Sequence, residues 1–154
     1  YAFVGSFPGG EVGFVGTMPV QITKTPDGAI VQAWPLFCQG VTAMPHTDAD
    51  INSANSQLYY MRQPAQSLEK KYTAFARLLE GLPAVRAMPD GEPPANPDKM
   101  TRVRVLADIP AGQRPHVQYL DPKSAAFTGV VQNTARARGA QFSLCDVEIP
   151  VDIK

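Results

Sequence analysis

Fifteen prolines are spread through the 154 residues, from Pro8 to Pro150, and they limit every element this chain can build. That is roughly twice the ordinary usage of ~5%. Each removes a backbone donor, and each stops a helix or confines a strand to an edge. The chain is therefore expected to consist of short strands and ordered loops. Charge is sparse at 18%, and the 14 basic residues balance the 14 acidic ones. A neutral chain is not a dedicated nucleic-acid binder, because such domains are usually basic. No apolar run approaches the ~18 residues needed to span a bilayer. A hydrophobic fraction of 44% is enough for a real core.

Two-residue periodicity dominates the first third. Met18, Val20 and Ile22 alternate with Pro19, Gln21 and Thr23. Thr25-Pro26-Asp27-Gly28 is a turn signal, and Ala29 to Trp34 returns. Residues 1–19 hold a near-duplicate, Phe3-Val4-Gly5-Ser6-Phe7-Pro8 and Phe14-Val15-Gly16-Thr17-Met18-Pro19, around Pro8-Gly9-Gly10. This segment has a single charge, Glu11. It reads as an apolar arm or an edge hairpin, separate from a single α+β domain over 20–154. Phe3, Phe7 and Phe14 are expected to contact another subunit, because exposed apolar patches of that size are unusual on monomers.

One amphipathic helix is expected at about 64–80. Pro64 suits a first turn, and Leu68, Tyr72, Phe75, Leu78, Leu79 and Leu82 fall at spacings of three and four. Gly81 reads as its left-handed terminator. Residues 83–100 carry five prolines and read as a loop. The remainder reads as β-rich. Strands are expected around 102–109, 117–119, 127–132 and 144–153, the last with Cys145 facing inward. The fold class is therefore α+β, a mainly antiparallel short-stranded sheet or sandwich with one helix packed on it.

Cys38 and Cys145, far apart in sequence, are expected to form a disulfide in an oxidising, extracytoplasmic setting. Tyr1 stands where an initiator Met would, as in a mature, trimmed or partial chain. No serine-hydrolase elbow, phosphate loop or zinc-ligand spacing occurs. Asp146, Glu148 and Asp152 read as a solvated strand face. His46-Thr47-Asp48-Ala49-Asp50-Ile51-Asn52 resembles half a calcium loop, but Ser53 stands at the sixth position and Tyr59 at the twelfth, where Gly and Glu are needed. No catalytic, cofactor or metal site is expected.

These readings point to a non-catalytic structural or accessory subunit of an envelope, secreted or particle assembly. Its partners would be other protein subunits, of the same or a different chain. The alternative is a module binding a small molecule, glycan or peptide on Trp34, Tyr59, Tyr60 or Tyr119. A hydrolase with dispersed carboxylate or His groups ranks last.

Overall fold

The computed structural model describes residues 1–7, 9–91 and 93–154. Alternating residues in the first third pair into a four-stranded antiparallel sheet of β1 (Ala2–Phe7), β2 (Gly10–Val15), β3 (Met18–Lys24) and β4 (Ile30–Pro35), in chain order. The β3–β4 turn closes as its sequence requires: the Gly28 amide donates to the Thr25 carbonyl at 2.9 Å, and Gly28 has φ 91°. In the β1–β2 turn, Gly9 has φ 93°; Pro8 lies outside the described residues. Gly13 permits close approach of β1, since a Cβ there would fall 2.1 Å from the Ala2 carbonyl oxygen.

A three-stranded antiparallel sheet follows, with β5 (Val41–Met44) between β6 (Tyr59–Tyr60) and β7 (Thr73–Arg77). Val41 and Ala43 of the central strand are fully buried. A two-stranded ladder joins β8 (Val117–Tyr119) to β9 (Val151–Ile153). The helices are α1 (Leu82–Ala87) and the longer α2 (Ala125–Arg138). Phe127 of α2 meets Phe14 of β2 edge to face at 5.4 Å, which places the helix on the first sheet. Leu36, Phe37, Met61, Leu144 and Val147 complete one core. The expected class, antiparallel sheets with one main helix, is the class observed.

The main helix is not where periodicity placed it. Residues 64–80 form a short 3-10 turn (Gln66–Leu68) and β7. The stripe of three- and four-residue spacings coexists with alternation of Tyr72, Ala74, Ala76 and Leu78. Pairing with the buried strand β5 selects the second pattern, as tertiary contacts override local propensity. Gly81 is left-handed, φ 87°, but it opens α1 and ends no helix. The loop expected from residue 83 therefore begins only after Ala87.

The strand expected at 127–132 lies inside α2. Ser124 caps that helix by accepting the Phe127 amide at 3.1 Å. Phe127, Val130, Val131 and Thr134 then share one helical face. The strand expected over 102–109 is also replaced. Leu106–Asp108 is a 3-10 turn, and Met100, Val103 and Val105 are exposed without a ladder partner among the described residues. In the last segment a capping box at Ser143 turns Leu144–Asp146 into 3-10 helix, leaving only Val151–Ile153 as strand.

Candidate functional site

The second sheet brings two connections to one end of β5. The register pairs Ala43 with Tyr59 and Met44 with Thr73. Residues just beyond those pairs, His46 after β5 and Tyr72 before β7, therefore become neighbours. Their rings stack at 4.5 Å with 27° between planes. Tyr59 meets the Tyr72 ring edge to face at 6.2 Å. Three flat side chains thus form one continuous aromatic wall.

The wall is held by backbone carbonyls. The His46 ring nitrogens lie 2.9 Å from the carbonyl oxygens of Thr47 (Nδ1) and Lys71 (Nε2). Both partners are acceptors, so both nitrogens carry hydrogen when both bonds are made. The Thr47 carbonyl, followed by that of Lys71, pushes the imidazole pKa above 6.5, and Asp48 and Asp50 add to the effect. The Tyr59 hydroxyl is buried without a hydrogen-bond partner among the described residues. Burial, then the neighbouring Tyr72, raises its pKa.

The connection from β5 to β6 is polar and internally braced. The Thr47 amide donates to Ser53 Oγ at 2.8 Å, and Ser53 Oγ donates to the Asp50 carbonyl at 2.7 Å. Asp50 Oδ1 accepts the Asn52 amide at 2.8 Å. The carboxylate of the calcium-like motif therefore serves its own loop. Beside it opens a recess of about 350 Å³ lined by Pro45, His46, Thr47, Asn55, Ser56 and Gln57, among others. An aromatic wall next to side-chain amides suits an extended peptide: the wall takes an apolar ring, and the amides take backbone groups.

The turn before β7 carries strain. Lys70 has φ 61° and is the one non-glycine residue with positive φ among the described residues. Its ammonium lies 3.6 Å from the centre of the Trp34 ring, and the Trp34 indole N–H donates to Glu69 Oε2 at 3.2 Å.

The residues singled out from sequence are dispersed. Cys38 and Cys145 are bonded to each other, and Gln39 Nε2 donates to the Cys145 carbonyl at 2.5 Å. Phe14 is 1% exposed, buried within its own chain's core. Phe7 packs against Phe142 at 6.3 Å, while Phe3 remains 58% exposed. Of the four aromatic platform candidates, Tyr59 belongs to the wall. Tyr60 is its strand neighbour, Trp34 stands by Glu69, and Tyr119 lies on β8. The sequence reading missed the His46–Tyr72 pair, because Tyr72 was assigned to a helical stripe. Reading Tyr72 as the start of a period-two run would have exposed it.

Comparison with known proteins adds the family. The model of the cyclophilin type peptidyl-prolyl cis-trans isomerase/CLD family matches residues 12–105, more than half of the chain and the whole aromatic wall. The crystal structure of the cyclophilin AquaCyp293 from Hirschia baltica is similar, with a TM-score of 0.82 and 25% identity. The alignment covers 92% of this chain and 54% of that one, so the chain spans about half the length of that cyclophilin. No curated protein matches. The expected non-catalytic assembly subunit is overturned by the family match, and the hydrolase reading falls with it. The peptide-binding alternative stands closer. The wall and the fold that carries it agree with the match over residues 12–105: this chain belongs to the cyclophilin-type peptidyl-prolyl cis-trans isomerase family.

Proposed function

We propose that this chain accelerates cis–trans isomerisation of peptide bonds preceding proline, binding the peptide along the wall of His46, Tyr72 and Tyr59. The observation that carries the reading is that wall, lying wholly within the family match and beside the amide-bearing residues Asn55 and Gln57. The uncatalysed step is slow because amide resonance sets a barrier of ~18–20 kcal/mol. A protein speeds it by binding the twisted bond more tightly than either planar form. The pyrrolidine ring would rest on Tyr59 and Tyr72. The side-chain amides of Asn55 and Gln57 would hold the flanking backbone while the bond turns.

Exchange spectroscopy on a short Xaa-Pro peptide tests this directly. Uncatalysed exchange takes tens of seconds, so added protein should produce cis–trans cross-peaks within a short mixing time. Tyr72→Ala should cut kcat/KM by about tenfold or more, corresponding to ~1.4 kcal/mol of transition-state binding. Absence of exchange above buffer at high protein concentration would overturn the proposal.

We further infer an oxidising, extracytoplasmic location. The Cys38–Cys145 bond supports it, since such bonds rarely persist in a reducing cytosol. Two titratable thiols in protein taken from its native compartment would sink this reading.

A further inference from the structure

We propose that a second recess takes a lysine or arginine side chain flanking the proline of a peptide substrate, with Glu69 as the carboxylate that holds it. This inference rests on the isomerase reading above and assigns that reaction a substrate class. The recess has a volume of about 550 Å³. Phe7, Leu36, Phe37 and Phe142 give it apolar walls, and Gln21 and Glu69 are polar groups at its lining. Apolar walls with one carboxylate match a long aliphatic stem ending in a cation.

Glu69 takes part in none of the ion pairs among the described residues, although the charge of neighbouring Lys70 favours its ionised form. It accepts the Trp34 indole N–H at 3.2 Å. A carboxylate has about four acceptor positions, so this bond leaves room for further donors. Partial burial disfavours its charge, and an arriving cation would relieve that penalty. Lys70 is the nearby cation, but its ammonium lies on the Trp34 face and donates to Gln32 Oε1 at 3.3 Å.

The recess and the aromatic wall share one turn. The Tyr72 amide donates to the Leu68 carbonyl at 3.2 Å, and the Lys71 carbonyl accepts from His46 at 2.9 Å. Glu69 lies between Leu68 and Lys71, followed directly by the strained Lys70. One backbone segment thus sets both the carboxylate and the ring against which proline is proposed to lie. A peptide lying across that turn would meet both.

Trp34 is the sole tryptophan in the chain and its indole N–H bonds Glu69, so its fluorescence reports on the surroundings of that carboxylate. A set of proline peptides would be titrated, with lysine, alanine or glutamate scanned through the positions flanking proline, and isomerisation measured in parallel. At one position lysine should shift Trp34 emission at about tenfold lower peptide concentration than alanine, the size of one charge-assisted contact. The isomerisation kcat/KM should show the same order of preference. In Glu69→Gln, which keeps an acceptor for the Trp34 N–H, the lysine-to-alanine ratio should fall to about one if the charge is what selects. Equal Trp34 responses to lysine, alanine and glutamate peptides, with isomerisation proceeding, would overturn the cation site and leave the isomerase reading standing. A lysine-selective Trp34 response without any isomerisation would do the reverse: the recess would stand and the catalytic reading would fail.

Discussion

Single residues here are constrained by what stands opposite them. Gly13 faces the Ala2 carbonyl oxygen so closely that a Cβ would lie 2.1 Å from it and 2.8 Å from the Tyr1 ring. Both contacts are far inside ordinary packing distance, and the nearer one is backbone. Gly13→Ala should therefore cost about 2 kcal/mol or more of stability by forcing β1 off β2. A denaturation midpoint unchanged from the parent would show that the strands separate at no cost. His46 makes a pH prediction. Carbonyl oxygens face both of its nitrogens, the Asp48 and Asp50 carboxylates lie near, and the Tyr72 ring covers one face. The protonated ring is thus favoured in the folded protein. Its contribution to holding the β5–β6 connection is fully present below pH 6.5 and lost as pH rises through the raised folded value. An NMR titration should place the His46 midpoint above 6.5, and a midpoint below it would contradict the two-carbonyl geometry.

Elements are decided by caps and partners more than by their own periodicity. Helix α2 shows this clearly. Ser124 satisfies the Phe127 amide, Gly139 ends the helix, and Arg136 and Arg138 sit in its last turn, where cations suit the dipole. Arg138 Nε also donates to Asp146 Oδ1 at 2.8 Å, tying the end of α2 to the capped turn at Leu144–Asp146. This hydrogen bond from Arg138 is the main cause that lowers the Asp146 pKa. The tie is therefore present above the ordinary aspartate range and lost as pH falls through the lowered folded value. Ser124→Ala should cost about 1 kcal/mol of stability by removing the cap. Phe127→Ala should cost about 3–5 kcal/mol by opening a cavity against Phe14. Thermal denaturation of the two variants should rank them in that order. A milder loss for Phe127→Ala than for Ser124→Ala would mean that α2 does not anchor the core through that ring. Both the Ser124 cap and the terminal Gly139 were readable in the sequence. The apolar spacing from Phe127 is compatible with a helix too, but Val130 and Val131 favour a strand by local preference.

At the scale of the whole molecule, one covalent bond joins the start of the second sheet to the C-terminal segment. The Cys38–Cys145 bridge closes a sequence separation of 107 residues. Chain entropy for a loop of that order corresponds to about 4.7 kcal/mol. The paired substitution Cys38→Ser and Cys145→Ser should lower stability by about 2–5 kcal/mol. Unchanged melting of that variant, or of the parent under reductant, would show that the bridge constrains little. The bridge, the first hairpins and the α+β class followed from residue types and local spacing, because thiols, Pro-Asp-Gly turns and two-residue alternation act within short stretches or by simple elimination. The site did not. His46, Tyr59 and Tyr72 become one wall only through the registers of β5 with β6 and β7, and Glu69 gains its recess only when β1, β2, β3 and the C-terminal turn close around it. The apolar spacing of residues 64–80 is compatible with a helix and with a strand alike. Pairing with a largely buried β5, a contact formed across about thirty residues of chain, decides between them. The sequence by itself therefore determined the class, the turns and the covalent tie. Only the tertiary pairing decided where the helix lies and which rings meet, because those outcomes depend on long-range registers that no local pattern encodes.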